Sequence, residues 1–180
     1  MAILKIARMG HPVLLADAAP VADPGDPEVQ RLIDDMIDTM RDAEGVGLAA
    51  PQVHRRLRLI LAVDPDAAPE GRMAPPEVLI NPELIPLDNE REEAFEGCLS
   101  IPEIRGLVPR YRRVALRGLD RHGREVEREA QGFFARVLQH EVDHLNGILY
   151  PMRMTDLSQL GYVSELRHAA AAAAAAERKA

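Results

Sequence analysis

The segment from residue 133 to residue 147 restricts the fold of this chain more than any other part of the sequence. Apolar residues recur at helical spacing from Phe133 to Leu145, and Asn146-Gly147 follows as a left-handed C-terminal cap. Inside this apolar helix lies His140-Glu141-Val142-Asp143-His144, which places two imidazoles one turn apart on the same face with a carboxylate beside them. The spacing therefore indicates a metal site, and the fold must bring at least one more ligand to this helix.

The third ligand is not decided by the residues alone. A catalytic site of the zinc type needs three protein ligands and one open position. In metzincins a third histidine ends the pattern H-E-x-x-H-x-x-G-x-x-H, but Tyr150 occupies that position here. In thermolysin-like enzymes a downstream glutamate completes the site, and Glu165 is the available candidate. Cys98, the only cysteine, would instead give a set of one thiolate and two imidazoles, or it could be a small buried hydrophobic residue.

Composition and charge exclude several other classes of protein. The 180 residues are 47% hydrophobic and 28% charged, which is the balance of one globular domain. A net charge of −7, 3% aromatic residues and no tryptophan argue against direct nucleic-acid binding. No apolar run approaches the roughly 20 residues of a membrane span, so we expect neither membrane insertion nor a secretion signal. The single cysteine cannot form an intramolecular disulfide, which fits a cytoplasmic protein.

Local patterns in the rest of the chain predict a mixture of helices and strands. An irregular N-terminal arm through Pro20 precedes a first helix, which is capped by Asp26-Pro27 and ends near Asp42. The middle of the chain is mostly β. Its predicted features are strands at 57–63, 78–80 and 92–95, a Pro-rich loop through Pro76, strand pairing between 108 and 119, and a turn at 122–123.

The C-terminal part predicts one more helix, which begins near Asp156 and runs into eight consecutive alanines at 169–176. The predicted fold class is therefore α+β. Short antiparallel β-sheets pack around a central helix that bears the H-E-x-x-H motif, with a further N-terminal helix and a C-terminal helix. Residues 1–168 would form a single catalytic domain, and residues 169–180 would form an Ala-rich C-terminal helical extension or tail.

Three segments together resemble the motifs of peptide deformylases, in the order of that family. They read G-V-G-L-A-A-P-Q at 45–52, E-G-C-L-S at 96–100 and Q-H-E-V-D-H-L-N-G at 139–147. The similarity extends loosely from about Arg8 to Tyr150, and Ser100-Ile101-Pro102 and Val108-Pro109-Arg110 fit the same pattern. Any one of the motifs could arise by chance, but the three together are highly specific.

The resemblance implies a role for each matching residue. Cys98, His140 and His144 would be the metal ligands, and Glu141 would be the general acid and base. The Gln52 side chain and the backbone N–H of Leu99 would form the oxyanion hole. The implied reaction is hydrolysis of the N-formyl group from the formylmethionine of newly made polypeptides, with release of formate. The implied cofactor is one divalent transition metal, physiologically Fe²⁺, with Zn²⁺, Ni²⁺ or Co²⁺ as replacements in purified protein.

The substrate pocket is predicted from the helix that carries the histidines. Phe133 and Val137 lie seven and three residues before His140 and share its face, and with Val46 opposite they would accept a methionine side chain. The backbone of the segment from Gly45 to Leu48, which includes Gly47, would pair with an extended peptide. Arg136 departs from the apolar residue that deformylases commonly carry there. Because a buried unpaired guanidinium is costly, we expect it to reach the rim.

The partners and the competing functions complete the expectations. The partner implied by the resemblance is the N-terminus of a nascent polypeptide, in proximity to the ribosome. The tail ends in Glu177-Arg178-Lys179-Ala180 and gives little support for docking on the ribosome. A metallopeptidase with Glu165 as third ligand and a non-catalytic protein with a closed four-ligand site are the alternatives. The latter lacks a convincing fourth ligand, because the remaining histidines are isolated in sequence: His11, His54, His122 and His168.

Overall fold

The computed structural model describes residues 2–64, 67 and 74–177. Its helices and strands are α1 (Pro27–Asp42), β1 (Gly47–Ala49), β2 (Leu59–Ala62), β3 (Glu77–Pro86), β4 (Arg91–Cys98), β5 (Ile101–Tyr111), β6 (Arg113–Leu119), β7 (Glu125–Gln131), α2 (Gly132–Leu145), β8 (Leu160–Tyr162) and α3 (Val163–Glu177). Short 3-10 helices lie at Pro12–Leu15, Ala50–Val53, Tyr150–Arg153 and Leu157–Gln159. The predicted α+β class is confirmed.

The strands form two antiparallel sheets. One has the order β1-β2-β3-β6-β7 and the other has the order β4-β5-β8. The helix α2 packs against the first sheet through apolar residues such as Val137 and Leu138, which share a core cluster with Ile60 and Leu116. The same helix also approaches β5 of the second sheet. Because α2 lies between the two sheets, side chains on its different faces meet residues from both.

The bounds of α1 follow from local sequence. The Asp26 side chain accepts a hydrogen bond from the backbone N–H of Glu28 at 2.7 Å, and Pro27 occupies the first turn. Leu32, Ile33 and Met36 then recur at helical spacing and are buried against the first sheet. The predicted first helix is therefore confirmed at both ends.

The end of α2 depends on Gly147. This residue has a φ of +66°, and a Cβ there would lie 2.7 Å from the backbone carbon of Leu15 in the N-terminal arm. Only glycine combines the left-handed conformation with such a close backbone approach. The predicted left-handed cap at Asn146-Gly147 is confirmed, and it also joins the arm to the central helix.

Several predicted bounds are wrong. The last helix begins at Val163 and not near Asp156, because residues 157–159 form a 3-10 helix and residues 160–162 pair with β5 as strand β8. The strands β3 and β4 are also longer than their apolar patterns suggested, since both extend through residues exposed to solvent. Most of the predicted Pro-rich loop, and residues 178–180 of the tail, lie outside the described residues. Within the described part of the chain, no helix is both long and apolar enough to cross a membrane.

Candidate active site

Three potential metal ligands from two elements meet at the centre of the molecule. His140 and His144 project from α2, and Cys98 ends strand β4, where a shift in the pairing with β5 falls between Gly97 and Cys98. The ligand atoms of these three residues all lie within 4.8 Å of one another. The Nε2 atom of His144 is 3.3 Å from the Sγ atom of Cys98. The structure thus brings together the three ligands that the resemblance implied, although Cys98 lies 42 positions before His140 in the sequence.

The two imidazoles have different surroundings. The Nδ1 atom of His140 lies 2.8 Å from the Oε2 atom of Glu96, which leaves Nε2 free to bind a metal. Burial lowers the pKa of His140, but its contacts with Cys98 and Glu96 outweigh burial and raise that pKa well above its ordinary value. The Glu96 carboxylate, which stabilises a proton on this ring, would also stabilise a metal cation bound to it. For His144, burial lowers the pKa well below its ordinary value, so its ring is neutral and can donate a lone pair.

Glu96 lies at the centre of a buried network of hydrogen bonds. The sequence did not indicate this role. The Glu96 carboxylate accepts hydrogen bonds from the guanidinium of Arg110 at 2.9 and 3.0 Å and from Arg136 at 2.9 Å. Burial alone would raise the pKa of Glu96, but the hydrogen bonds from His140 and Arg110 outweigh it and hold the pKa at about 2. The carboxylate is therefore ionised and fixes the orientation of His140.

Among the described residues, the Asp143 side chain forms its hydrogen bonds with two arginines and not with a candidate ligand. Its buried carboxylate accepts hydrogen bonds from Arg110 and from the half-exposed Arg153. Asp143 therefore supports Arg110, which in turn supports Glu96.

The expectation for Arg136 is also wrong. Its side chain does not reach the rim and is only 9% exposed. Besides Glu96, its guanidinium donates to the backbone carbonyls of Val108 at 2.8 Å and Glu92 at 2.6 Å. The cost of burying the charge is offset because a carboxylate and two carbonyls from strands β4 and β5 accept its protons.

Glu141 lies beside the ligand cluster and is buried. Its Oε2 atom has no hydrogen-bond partner among the described residues. Burial raises the pKa of Glu141 to about 7. A carboxylate with a free oxygen and a raised pKa, next to a metal site, has the properties of a general acid and base.

Gln52 also lies beside the cluster, and its side chain is held in place. Its Oε1 atom accepts a hydrogen bond from the backbone N–H of Ala49 at 2.8 Å. Its amide nitrogen is therefore directed away from Ala49, and it lies 3.5 Å from the Sγ atom of Cys98 and 3.2 Å from the Oγ atom of Ser100. Leu99, the residue after Cys98, lines the same cavity as Gln52. A preorganised donor thus faces the candidate metal ligands.

A cavity of about 470 Å³ opens onto this cluster. Its wall includes all four predicted substrate-binding residues, which are Val46, Gly47, Phe133 and Val137. Val137 is buried, whereas Phe133 and Val46 are 53% and 41% exposed, so they form the open side of the cavity. Val163 at the start of α3 also lines it, a contribution that the sequence did not indicate because the predicted start of that helix was wrong.

The alternative ligands do not join the cluster. Glu165 is exposed on α3, where its Oε1 atom accepts a hydrogen bond from Ser164 at 3.2 Å. Among the described residues, the group that could hold a metal consists of Cys98, His140 and His144. The thermolysin-like interpretation is therefore not supported. His11 and His54 are not isolated as their sequence positions suggested, since their rings lie 4.8 Å apart, but two histidines alone do not make a three-ligand site.

Comparisons with known proteins identify the family of this chain. A family model described as "Polypeptide deformylase" matches residues 3–160. The chain is 50% identical over 166 residues to "Peptide deformylase 1" of Bordetella pertussis, across 91% of this chain and 94% of the relative. It is 48% identical over 166 residues to "Peptide deformylase 1" of Nitrosomonas europaea, with the same coverage.

Solved structures show the same similarity. An actinonin-bound class I type b peptide deformylase from Acinetobacter baumannii matches with a TM-score of 0.77 and 39% identity, over 86% of this chain and 100% of that chain. Peptide deformylase from Thermotoga maritima matches with a TM-score of 0.79 and 40% identity, over 87% of this chain and 100% of that chain. This chain therefore belongs to the polypeptide deformylase family, hydrolases that remove the N-formyl group from newly made polypeptides.

Proposed function

We propose that this chain removes the formyl group from the N-terminal formylmethionine of newly made polypeptides and releases formate, with a divalent transition metal held by Cys98, His140 and His144. The observation that carries the proposal is the convergence of these three ligand atoms within 4.8 Å beside Glu141, in a cluster that opens onto a cavity. The solved structure of an Acinetobacter baumannii peptide deformylase bound to Met-Ala-Ser supports a peptide as the occupant of such a cavity.

The residues present fit a bound metal. One thiolate and two imidazoles suit several divalent transition metals. The surroundings fit as well, because His144 is neutral and the ionised Glu96 holds His140 by its Nδ1 atom. By the family resemblance we propose Fe²⁺ as the physiological ion, with Zn²⁺, Ni²⁺ or Co²⁺ as replacements. When bound, such an ion supplies a Lewis acid that makes water nucleophilic at neutral pH.

Glu141 is the proposed carrier of the proton. Its unpartnered Oε2 atom would take a proton from the attacking water and later give it to the departing nitrogen. The leaving group then departs as a neutral amine and not as an unstable amide anion. One C–O bond forms and the C–N bond of the formamide breaks, so the products are formate and a free N-terminal amine.

Gln52 and Leu99 are the proposed donors to the formyl oxygen. Negative charge develops on this oxygen when water attacks the carbon. The Gln52 amide is held in advance by Ala49, so little reorganisation is needed when the charge appears. The backbone N–H of Leu99 would be the second donor. Removing one such donor typically costs about 3 to 4 kcal/mol of transition-state stabilisation.

Val46, Phe133 and Val137 are the proposed pocket for the methionine side chain next to the formyl group, because they form an apolar wall of the cavity beside His140. The backbone at Gly47 is the proposed partner of the extended peptide. Backbone pairing tolerates many side chains, which suits an enzyme that must process many nascent chains.

We assign the chain to the cytoplasm and to the neighbourhood of the ribosome, where formylated polypeptides emerge. We propose residues 1–168 as one catalytic domain, which contains the family match at residues 3–160, and residues 169–180 as an Ala-rich helical extension or tail. Helix α3, from Val163 to Glu177, runs across this boundary without a break. The tail has few basic residues, so we do not propose that it docks on ribosomal RNA.

Metal analysis of anaerobically purified protein, combined with an assay on a formyl-Met peptide, tests the proposal. We expect about one divalent transition metal per chain and release of formate that stops after chelation and returns with Fe²⁺, Co²⁺ or Ni²⁺. Metal-independent formate release, or a fully metallated protein without deformylase activity, would contradict it.

A further inference from the structure

We propose that Arg136 is a positioning residue that holds the Glu96 carboxylate against His140 and thereby strengthens metal binding. The inference rests on the metal site of the proposed function. The sequence predicted only that the Arg136 side chain would reach the rim of the site. The inference is supported by three hydrogen bonds that the buried guanidinium of Arg136 donates to residues of β4 and β5.

Arg136 connects the elements that carry the metal ligands. It lies on α2, one turn before His140, and it reaches Glu96 and the Glu92 carbonyl on β4 and the Val108 carbonyl on β5. Cys98 ends the same strand β4. A planar guanidinium with several fixed donors can serve all three acceptors at once. The side chain therefore fixes the distance and the angle between the helix of the two histidines and the strand of the cysteine.

The Glu96 carboxylate is saturated only with Arg136 in place. Its Oε1 atom accepts from Arg110 and Arg136, both at 2.9 Å, and its Oε2 atom accepts from Arg110 at 3.0 Å and lies 2.8 Å from His140 Nδ1. Without Arg136, Oε1 would keep one donor, and the carboxylate would be held by Arg110 alone and could shift together with that side chain. Any such shift moves Oε2 relative to His140 Nδ1 and loosens the ligand ring.

The loss of the hydrogen bond between Arg136 and Glu96 would be costly because both side chains are buried. Glu96 and Arg136 are both buried, so water does not replace a lost hydrogen bond at low cost. Partners that orient metal-binding histidines typically contribute 10- to 100-fold to metal affinity or activity. Arg136 acts one step further out, through Glu96, so we expect an effect near the lower end of that range.

Metal affinity of Arg136 variants tests the inference without relying on activity. The probe is Co²⁺ alone, titrated anaerobically against a competing chelator, with the thiolate-to-Co²⁺ absorption band recorded at saturation. We expect Arg136→Met to weaken Co²⁺ binding about 10-fold and to shift the band. Arg136→Lys should weaken it less, since one ammonium cannot serve all three acceptors. The control Arg117→Met removes an exposed arginine that pairs with Glu127 on β7, and it should bind Co²⁺ like the wild type.

The variant Glu96→Gln, alone and combined with Arg136→Met, separates positioning from a general structural role. If Arg136 acts through Glu96, the double variant should bind Co²⁺ no more weakly than Glu96→Gln. Additive losses in the double variant, or wild-type affinity and spectrum in Arg136→Met, would overturn the inference. If Arg136→Met does not unfold cooperatively, Arg136→Lys is judged by the same criteria.

Cys98→Ala distinguishes this inference from the proposed function. Wild-type Co²⁺ affinity in Cys98→Ala would overturn the proposed metal site and the inference with it. Loss of Co²⁺ binding in Cys98→Ala together with wild-type binding in Arg136→Met would overturn the inference alone.

Discussion

Gly47 lies directly against the carboxylate of Glu141, so closely that a Cβ atom at position 47 would overlap the Oε1, Cδ and Cγ atoms of that side chain. Strand β1 and helix α2 are thereby in contact at the proposed catalytic carboxylate. Both Gly47 and Glu141 also line the active-site cavity. The missing side chain of Gly47 thus creates the space in which Glu141 sits.

Gly47→Ala should lower deformylation of a formyl-Met peptide by about 10²-fold or more, because the added methyl must displace Glu141 or β1 and a shift of about 1 Å at a catalytic group has that effect. The metal should be retained, since the three atoms nearest to a Cβ at position 47 all belong to Glu141 and none to a candidate ligand. Steady-state kinetics with metal analysis measures both. Gly25→Ala, at an exposed position, is the control and should behave like the wild type. Full activity in Gly47→Ala would mean that Glu141 has more freedom than its packing indicates.

Cys98→Ala should lose tightly bound metal and activity, whereas Glu165→Ala should keep about one metal per chain. A site reduced to two histidines is too weak to retain an ion through purification, and Glu165 is exposed on α3 outside the ligand cluster. Metal analysis of the two purified variants checks this. The reverse pattern would restore the thermolysin-like interpretation.

Glu141→Gln should keep the metal but lower turnover by a factor of about 10² to 10⁴, the usual range for the loss of general acid and base catalysis. The amide keeps the volume of the side chain but cannot accept the proton of water. Glu165→Gln, the same change at an exposed site, should leave turnover unchanged. Purification of Glu141→Gln without metal would show that Glu141 is a ligand or a structural support.

A short formyl-Met peptide should be deformylated well, a formyl-Ala peptide at least about 10-fold more slowly, and an acetyl-Met peptide hardly at all. Truncating methionine to alanine removes a few methylene groups that would be buried against Val46, Phe133 and Val137, at about 0.8 kcal/mol each. The acetyl methyl would clash where a formyl group carries only hydrogen.

Steady-state rates on these substrates, with freshly metallated protein and with casein as an additional substrate, decide the point. Efficient cleavage of casein or of the acetyl peptide would make the chain a general peptidase or an aminoacylase.

Gly147→Ala should lower the free energy of unfolding by more than Gly132→Ala does. Both glycines have a positive φ, +66° and +59°, so alanine is strained at either position by about 1 to 2 kcal/mol. At Gly147 the new methyl would also meet the backbone of Leu15, whereas at Gly132 no atom of the described residues lies within 4 Å of it outside the neighbouring backbone. Chemical denaturation of both variants measures the difference. Equal losses of unfolding free energy in the two variants would show that the N-terminal arm moves away from the new methyl group without a free-energy cost.

The amino-acid sequence by itself determined the two helices whose ends are encoded locally. Asp26-Pro27 starts α1 and Asn146-Gly147 ends α2, and each signal acts on backbone groups within a few residues. The same local geometry placed His140, Glu141 and His144 together, because residues three and four apart share a helix face. Cys98, Gln52 and Leu99 were added to the site by the resemblance to the deformylase motifs. Residue spacing and helix geometry alone could not assign them to it.

The tertiary structure decided everything that depends on pairs distant in sequence. Whether Cys98 or Glu165 lies near the two histidines depends on how β4 and α3 pack, and no local signal reports that packing. The start of α3 at Val163 depends on residues 160–162 pairing with β5. The burial of Arg136 was mispredicted because a lone arginine in an apolar helix is costly until Glu96, 40 residues away, is brought to it. Long-range contacts compensate for desolvation, so only the folded chain shows which charges can be buried.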